Sequence, residues 1–345
     1  MMNIVLSFAV PLLLCLLLTP LMISIAKRRK VFDLPSSRKV HTSPTPLLGG
    51  IAILIAAVVS FILFTTPTNP LLKLFVIIGF AGVAAIGLID DIISLGPIKR
   101  LIVLFILAII VYFGVIQFYF IRHLTSIWLT VVFGLIVVVW IVGITNAINF
   151  SDGIDGLSSF LSLIAALSFA VIFSIAQRTE FALPVALALV GAIAGFMPYN
   201  RAPALIFMGD AGSMSLGFML GLLSITSIAK EGSILSFVVP VYILFVPIAD
   251  MCMSILRRLI IRKPVMQPDR MHFHHVLNER FNNHMVVVII MSLAQITFAA
   301  FGILIYVYKI YLTGVITLVG LLIIASIYTI ATSSRIKKNQ RVEER

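Results

Sequence analysis

Ile127–Phe160 reads IWLTVVFGLIVVVWIVGITNAINFSDGIDGLSSF. From Ile127 to Ile144 it is almost wholly apolar; then Asn146–Gly156 gathers two asparagines, two aspartates and two glycines before apolar sequence resumes. A helix needs about 20 apolar residues to cross a bilayer. A carboxylate at that depth costs a few kcal/mol or more, so such a residue faces a cavity with a task in it. Working outward, the same alternation recurs at Asp90-Asp91, at Met208–Ser213 (MGDAGS), at Pro268–Leu277 (PDRMHFHHVL) and in the basic, proline-rich stretch Lys27–Gly50. Five polar clusters thus interrupt a chain that is otherwise nearly continuous oil, and the arrangement reads as a membrane-embedded active site.

Composition agrees. With 61% hydrophobic residues, 11% charged residues and a mean hydropathy of +1.17, the chain lies outside the range of soluble domains. Eleven apolar runs are expected to span, near 3–26, 47–66, 73–93, 99–119, 127–146, 157–176, 182–198, 213–229, 234–256, 285–308 and 312–331. Lipid offers backbone groups no water to bond, so these must be helices, and the predicted fold is an all-α polytopic bundle. Residues 1–345 read as one integral-membrane domain, with 257–284 the longest cytoplasmic loop and 332–345 a basic cytoplasmic tail. Cys15 and Cys252 both lie in apolar runs and suggest neither a disulfide nor a zinc site.

Charge orients the bundle. With the N-terminus outside, twenty of the twenty-five basic residues fall on the inner side, and the outer loops hold only Lys73, Arg122, Arg178, Lys230 and Lys309. The positive-inside rule therefore predicts N-out, C-in. All five polar clusters then face the cytoplasm. Topology accounts for much of the +12 net charge, so no nucleic-acid partner is implied. The first helix has basic residues after it rather than before it, the reverse of a cleavable signal, and is expected to stay attached.

The carboxylates need a chemical reason. Asp90, Asp91, Asp152, Asp155 and Asp210 sit at the predicted inner ends of helices. A carboxylate cluster facing an anionic substrate either holds a metal or takes protons, and hard oxygen donors suit Mg²⁺ or Mn²⁺. Neighbours on a helix point about 100° apart, so Asp90 and Asp91 are expected to do different things. Asp152 and Asp155 would share a face if a helix begins there. His272, His274 and His275 beside Arg270 are read either as a zinc site or as donors to a diphosphate. With no cysteine near, the anion reading is favoured. Asp250, ahead of Arg257-Arg258 on the ninth predicted helix, is read as an ion-pair partner or a loop anchor. A metal plus cationic donors among carboxylates is the equipment of phosphoryl transfer.

The ordered motifs carry a resemblance. Asp90-Asp91, then Asn146-x-x-Asn149-x-x-Asp152-Gly153-x-Asp155-Gly156-Leu157, then Phe207-Met208-Gly209-Asp210-x-Gly212-Ser213, then Asp269-Arg270-x-His272-x-His274-His275-x-Leu277 resemble the polyprenyl-phosphate N-acetylhexosamine-1-phosphate transferases over nearly the whole chain. Arg38-Lys39-Val40-His41 with Pro44, Pro46, Gly49 and Gly50, and Pro198-Tyr199-Asn200 with Pro203-Ala204, are similar to further parts of that pattern. One departure is that Lys99-Arg100 leads into LIVLFILAII, without the glutamine members often carry about a turn later.

The resemblance implies transfer of a sugar-1-phosphate from a UDP-sugar to a membrane polyprenyl phosphate, with UMP released and Mg²⁺ required. Asp210 would be the leading metal ligand, joined by Asn149 and Asp152. Asp90 or Asp91 would orient or deprotonate the lipid phosphate, Asp155 would contact nucleotide or metal, and His272, His274 and His275 the diphosphate. Lys39, Gly49, Asn146, Asn149 and Arg270 would touch substrate. The Asp-Arg-x-His-x-His-His form resembles the UDP-GlcNAc branch that starts teichoic acid or O-antigen assembly on undecaprenyl phosphate, whereas the peptidoglycan-precursor branch carries a continuous triple histidine. A homodimer in the cell membrane is compatible with either branch. Competing classes fit less well. A secondary transporter favours broken helices and internal repeats, an intramembrane aspartyl protease needs a glycine where Phe207 stands, and a CDP-alcohol phosphotransferase needs a different sequence after Asp152-Gly153.

Overall fold

The computed structural model describes residues 2–33, 44–66, 70–116, 127–228, 233–262, 264 and 272–343. The helices in chain order are α1 (Met2–Arg29), α2 (Gly49–Phe64), α3 (Pro70–Ile93), α4 (Pro97–Val111, continued by a π turn over Tyr112–Ile116), α5 (Ile127–Phe150), α6 (Leu157–Ile175), α7 (Ala182–Asn200), α8 (Gly209–Ile228), α9 (Val238–Ile243), α10 (Phe245–Ile260), α11 (Phe273–Phe281), α12 (His284–Tyr308) and α13 (Tyr311–Glu343). Each of the eleven apolar runs is mostly helical over its described residues. Eight helices are long and apolar enough to cross a membrane, or nine if a bent pair counts as one span; Gly49–Phe64 and Tyr311–Ile327 are shorter apolar helices. The chain is an all-α, multi-pass membrane protein.

The bent pair corrects one expectation. The run near 234–256 is not one continuous helix: Ile234–Ile243 and Phe245–Ile260 meet at 89°. Pro247 has no N–H to carry the ladder through, so it sits in the first turn of α10, where none is needed. A break inside lipid leaves backbone groups that something must satisfy. Gln295 of α12, fully buried, does so with one side chain: its Oε1 accepts from Val246 N–H at 3.3 Å and its Nε2 donates to the Ile243 carbonyl.

Helix α8 is the axis of the bundle and is buried along its length. Small residues permit this, because they let neighbouring backbones come close. Gly217 and Gly221 lie against Thr145 and Ile141 of α5. Serines of α8 return their hydroxyls to its own carbonyls, as Ser213 does to Gly209 at 3.0 Å and Ser224 to Gly221 at 2.7 Å, so burial strands no donor.

Two features refine the connecting segments. Between α1 and α2, β1 (Phe32–Asp33) pairs antiparallel with β2 (Thr45–Pro46), and Phe207 N–H joins the ribbon through the Pro46 carbonyl at 2.9 Å. The 257–284 stretch is not all loop, since α11 lies within it, and the helix of α13 runs on through the basic tail to Glu343.

Candidate active site

Residues from the separate polar clusters meet around one cavity. Its volume is about 430 Å³, within the range of ligand pockets. Its walls include Asp33, Asp90, Asp91, Asn149, Asp152–Gly156, Asp210, His275 and His284.

Asp90 and Asp91 diverge as neighbours on a helix must. Asp91 turns to the start of α8 and accepts Asp210 N–H at 2.9 Å and Ala211 N–H at 3.2 Å. The helix's first donors have no partners of their own, so a carboxylate there is doubly favoured, by hydrogen bonding and by the helix dipole. Gly209 makes the approach possible. Its φ is +67°, and a Cβ there would stand 2.5 Å from Asp91 Oδ2, so the turn before Asp210 demands glycine.

Asp90 meets Asp210 through a residue that sequence reasoning had assigned to topology alone. Arg100 Nη1, near the start of α4, donates to Asp90 Oδ2 and to Asp210 Oδ2, each at 2.8 Å. The other Asp210 oxygen accepts from Asn149 Nδ2 at 2.7 Å, and the same amide reaches Ser213 Oγ at 2.9 Å. Asp33, Asn200 and His284 are further wall residues that were not singled out as site residues. The available signal was modest: Asp33 is the first acidic residue in the chain and Asn200 ends the quoted Pro-Tyr-Asn.

The condition set for Asp152 and Asp155, a helix beginning there, is not met. Ser151–Gly156 is a turn, and α6 begins only at Leu157, after Gly156 at φ +78°; the turn, not helical pitch, brings both side chains to the cavity wall. Asp155 accepts Ala204 N–H at 3.0 Å and faces His284 Nδ1 at 3.8 Å, tying the turn to the 201–208 connection. Asp152 faces the cavity. Burial, then the like charges of Asp210, Asp91, Asp33 and Asp155, push its carboxyl well above the usual range. Such a crowd of hard oxygen donors, short of positive charge, fits Mg²⁺ or a similar divalent cation.

The histidines separate. His275 lines the cavity, while His272 and His274 are buried and turned to Asp250. Asp250 Oδ1 accepts Phe273 N–H at 2.6 Å, and Oδ2 lies 2.9 Å from His274 Nδ1 and 3.6 Å from His272 Nδ1. Of the two roles expected for Asp250, loop anchor is the one observed. A zinc reading also gains a donor set, since ligand atoms of Asp250, His272 and His274 lie within 4.8 Å of one another, although one carboxylate oxygen is already engaged by the backbone.

Two expected substrate contacts are not among the residues that line the cavity. Gly49 is buried, with its N–H on the Phe207 carbonyl at 3.0 Å and Phe196 where a Cβ would stand; it is a packing position between α2 and the approach to α8. Asn146 turns its Nδ2 back to the Val142 carbonyl at 2.8 Å. Lys39 and Arg270 lie outside the described residues.

Comparison with known proteins gives a consistent picture. A model described as glycosyl transferase family 4 matches residues 73–228. The chain is 35% identical over 305 residues, 87% of its length and 84% of the relative's, to a probable undecaprenyl-phosphate N-acetylglucosaminyl 1-phosphate transferase of Bacillus subtilis. It is 32% identical over 317 residues to a decaprenyl-phosphate N-acetylglucosaminephosphotransferase of Mycobacterium leprae, covering 81% and 77% of the two chains. A phospho-N-acetylmuramoyl-pentapeptide-transferase of Staphylococcus epidermidis is 32% identical over 243 residues, or 63% of this chain and 74% of that one.

Proposed function

The chain belongs to the polyprenyl-phosphate hexosamine-1-phosphate transferases, and from that premise we propose that it transfers GlcNAc-1-phosphate from UDP-GlcNAc to undecaprenyl phosphate, releasing UMP. An oxygen of the lipid phosphate bonds to the sugar-bearing phosphorus while the bridging P–O bond to the uridine phosphate breaks. The product is a lipid-linked diphosphate sugar that starts a cell-envelope glycopolymer of teichoic acid or O-antigen type. The observation that carries the reading is the meeting of Asp90, Asn149 and Asp210 at one cavity from three separate helices, with Arg100 of a fourth bridging Asp90 and Asp210. The GlcNAc donor is favoured over the muramoyl-pentapeptide donor because the N-acetylglucosaminyl relatives overlap more of the chain.

Asp210, Asn149 and Asp152 would hold Mg²⁺ or Mn²⁺, which when bound neutralises the diphosphate and polarises its oxygens. The remaining work falls to the protein. Arg100 holds Asp90 and Asp210 in register. Asp91 fixes the start of α8 and so the bearing of Asp210. His275 faces the cavity as a donor to the diphosphate, with Arg270 and Lys39 expected to add positive charge. The second pKa of a phosphomonoester is about 6, so the acceptor is largely dianionic at neutral pH. Asp90 therefore serves better to orient than to deprotonate.

Eleven spans with the N-terminus outside place this cavity at the cytoplasm, where UDP-sugars are found. On a background lacking Cys15 and Cys252, a cysteine at Lys99 should label only from the cytoplasm and one at Glu180 only from outside; the opposite pattern would overturn the orientation. The reaction is tested with purified protein, radiolabelled UDP-GlcNAc and undecaprenyl phosphate. Label entering the lipid phase with stoichiometric UMP supports the proposal. Label transferred only from the muramoyl-pentapeptide donor, or none from any UDP-sugar, would refute it.

A further inference from the structure

We propose that Asp250 and His274 form a positioning strut that sets the Ser151–Gly156 turn, and through it the donor half of the cavity. Neither residue lines the cavity, so both act through others. Asp250 lies on α10, 3% exposed, and its two oxygens hold the start of α11 by Phe273 N–H and His274 Nδ1. With Nδ1 committed, the fully buried imidazole of His274 directs Nε2 at Gly153. A Cβ on Gly153 would stand 2.7 Å from that nitrogen, and Nε2 has no hydrogen-bond partner. The contact is therefore steric: an edge of imidazole set against the one residue of the turn that leaves room for it. Gly153 stands between Asp152 and the Ile154–Gly156 part of the cavity wall, and the same imidazole lies 4.3 Å, centroid to centroid, from His275, which lines the cavity too. One anchored ring thus supports both sides of the proposed donor site, and a shift of α10 at the 89° bend would be transmitted to it.

The inference rests on the transferase reading, and its test separates the two: absence of transfer by the unsubstituted chain defeats that reading, whereas the comparison of variants addresses the strut. Gly153→Ala, His274→Asn and the double variant are purified and compared for kcat and for KM of each substrate. Asparagine keeps a side-chain N–H near the place of Nδ1, preserving the bond to Asp250, and removes Nε2. Gly153→Ala is expected to raise the KM for UDP-GlcNAc about tenfold, with the KM for the lipid within about twofold, and adding His274→Asn should return it to within about threefold of His274→Asn alone, because contacting residues couple. Losses that simply multiply, or a rise confined to the lipid KM, would overturn the strut. Asp250→Asn, similar in volume, should raise the donor KM in the same way. If that variant does not fold, the Gly153/His274 comparison decides, since it leaves the carboxylate in place. One zinc per chain retained through purification would also overturn the proposal, because Asp250 and His274 would then be metal ligands.

Discussion

Replacing Arg100 by alanine should cripple transfer while leaving the protein folded. A single guanidinium nitrogen lies 2.8 Å from an oxygen of Asp90 and 2.8 Å from one of Asp210, so the two carboxylate oxygens are no more than about 5.6 Å apart. At an effective dielectric near 20, two unit charges at that separation repel by about 3 kcal/mol. Charge-assisted hydrogen bonds contribute about 1.5–3 kcal/mol each. Because one nitrogen serves both partners and the side chains are 18%, 8% and 30% exposed, a combined loss of about 3–4 kcal/mol is the reasonable figure, equivalent to roughly two to three powers of ten in kcat/KM. Arg100→Lys supplies a useful contrast: both contacts come from one nitrogen, so an ammonium that reaches the same point should keep the rate within about tenfold. The assay is radiolabel transfer from UDP-GlcNAc to undecaprenyl phosphate across a Mg²⁺ series, with monodispersity on gel filtration as the folding control. An Arg100→Ala enzyme within about threefold of the unsubstituted chain would refute the bridging argument.

Asp210→Asn should lose most turnover yet remain folded in the membrane, since an amide is a poorer ligand for a hard cation; full Mg²⁺-dependent activity would remove the metal assignment. Gln295→Ala leaves Val246 N–H and the Ile243 carbonyl unpaired at the bend, a loss of about 2 kcal/mol, which should lower the melting temperature in detergent by several degrees; an unchanged value would show that the bend is held otherwise. Asp152 carries a raised carboxyl pKa, so without substrate and with divalent ions chelated its stabilising protonated form is complete below the ordinary Asp range near 4 and is lost as pH rises through its higher folded value. Asp152→Asn should therefore abolish transfer while raising the apo melting temperature at neutral pH and flattening its decline with pH; an apo variant less stable at every pH would contradict this.

The sequence by itself determined that the chain is a helical membrane protein with a polar site at one end, because hydropathy and span length are local quantities and lipid permits few alternatives. The divergence of Asp90 from Asp91 was also legible, since adjacent helical positions differ by a fixed angle. The 89° bend was not, because what makes it tolerable is Gln295, some fifty residues away in the chain. Arg100 was hidden for a different reason: a basic residue on the inner side already has a topological explanation, and only packing brings its nitrogen between two aspartates. Spacing grouped His272, His274 and His275 as one donor set, whereas their contacts turn two of them inward to Asp250 and leave His275 at the cavity. Gly49 and Asn146 were drawn into the site by their neighbours in sequence, whereas Gly49 N–H bonds the Phe207 carbonyl, Asn146 Nδ2 bonds the Val142 carbonyl, and neither lines the cavity. Motif spacing records which residues are near in the chain. Which of them share a cavity depends on how α3, α4, α5 and α8 meet, and that was decided by side chains distant in sequence.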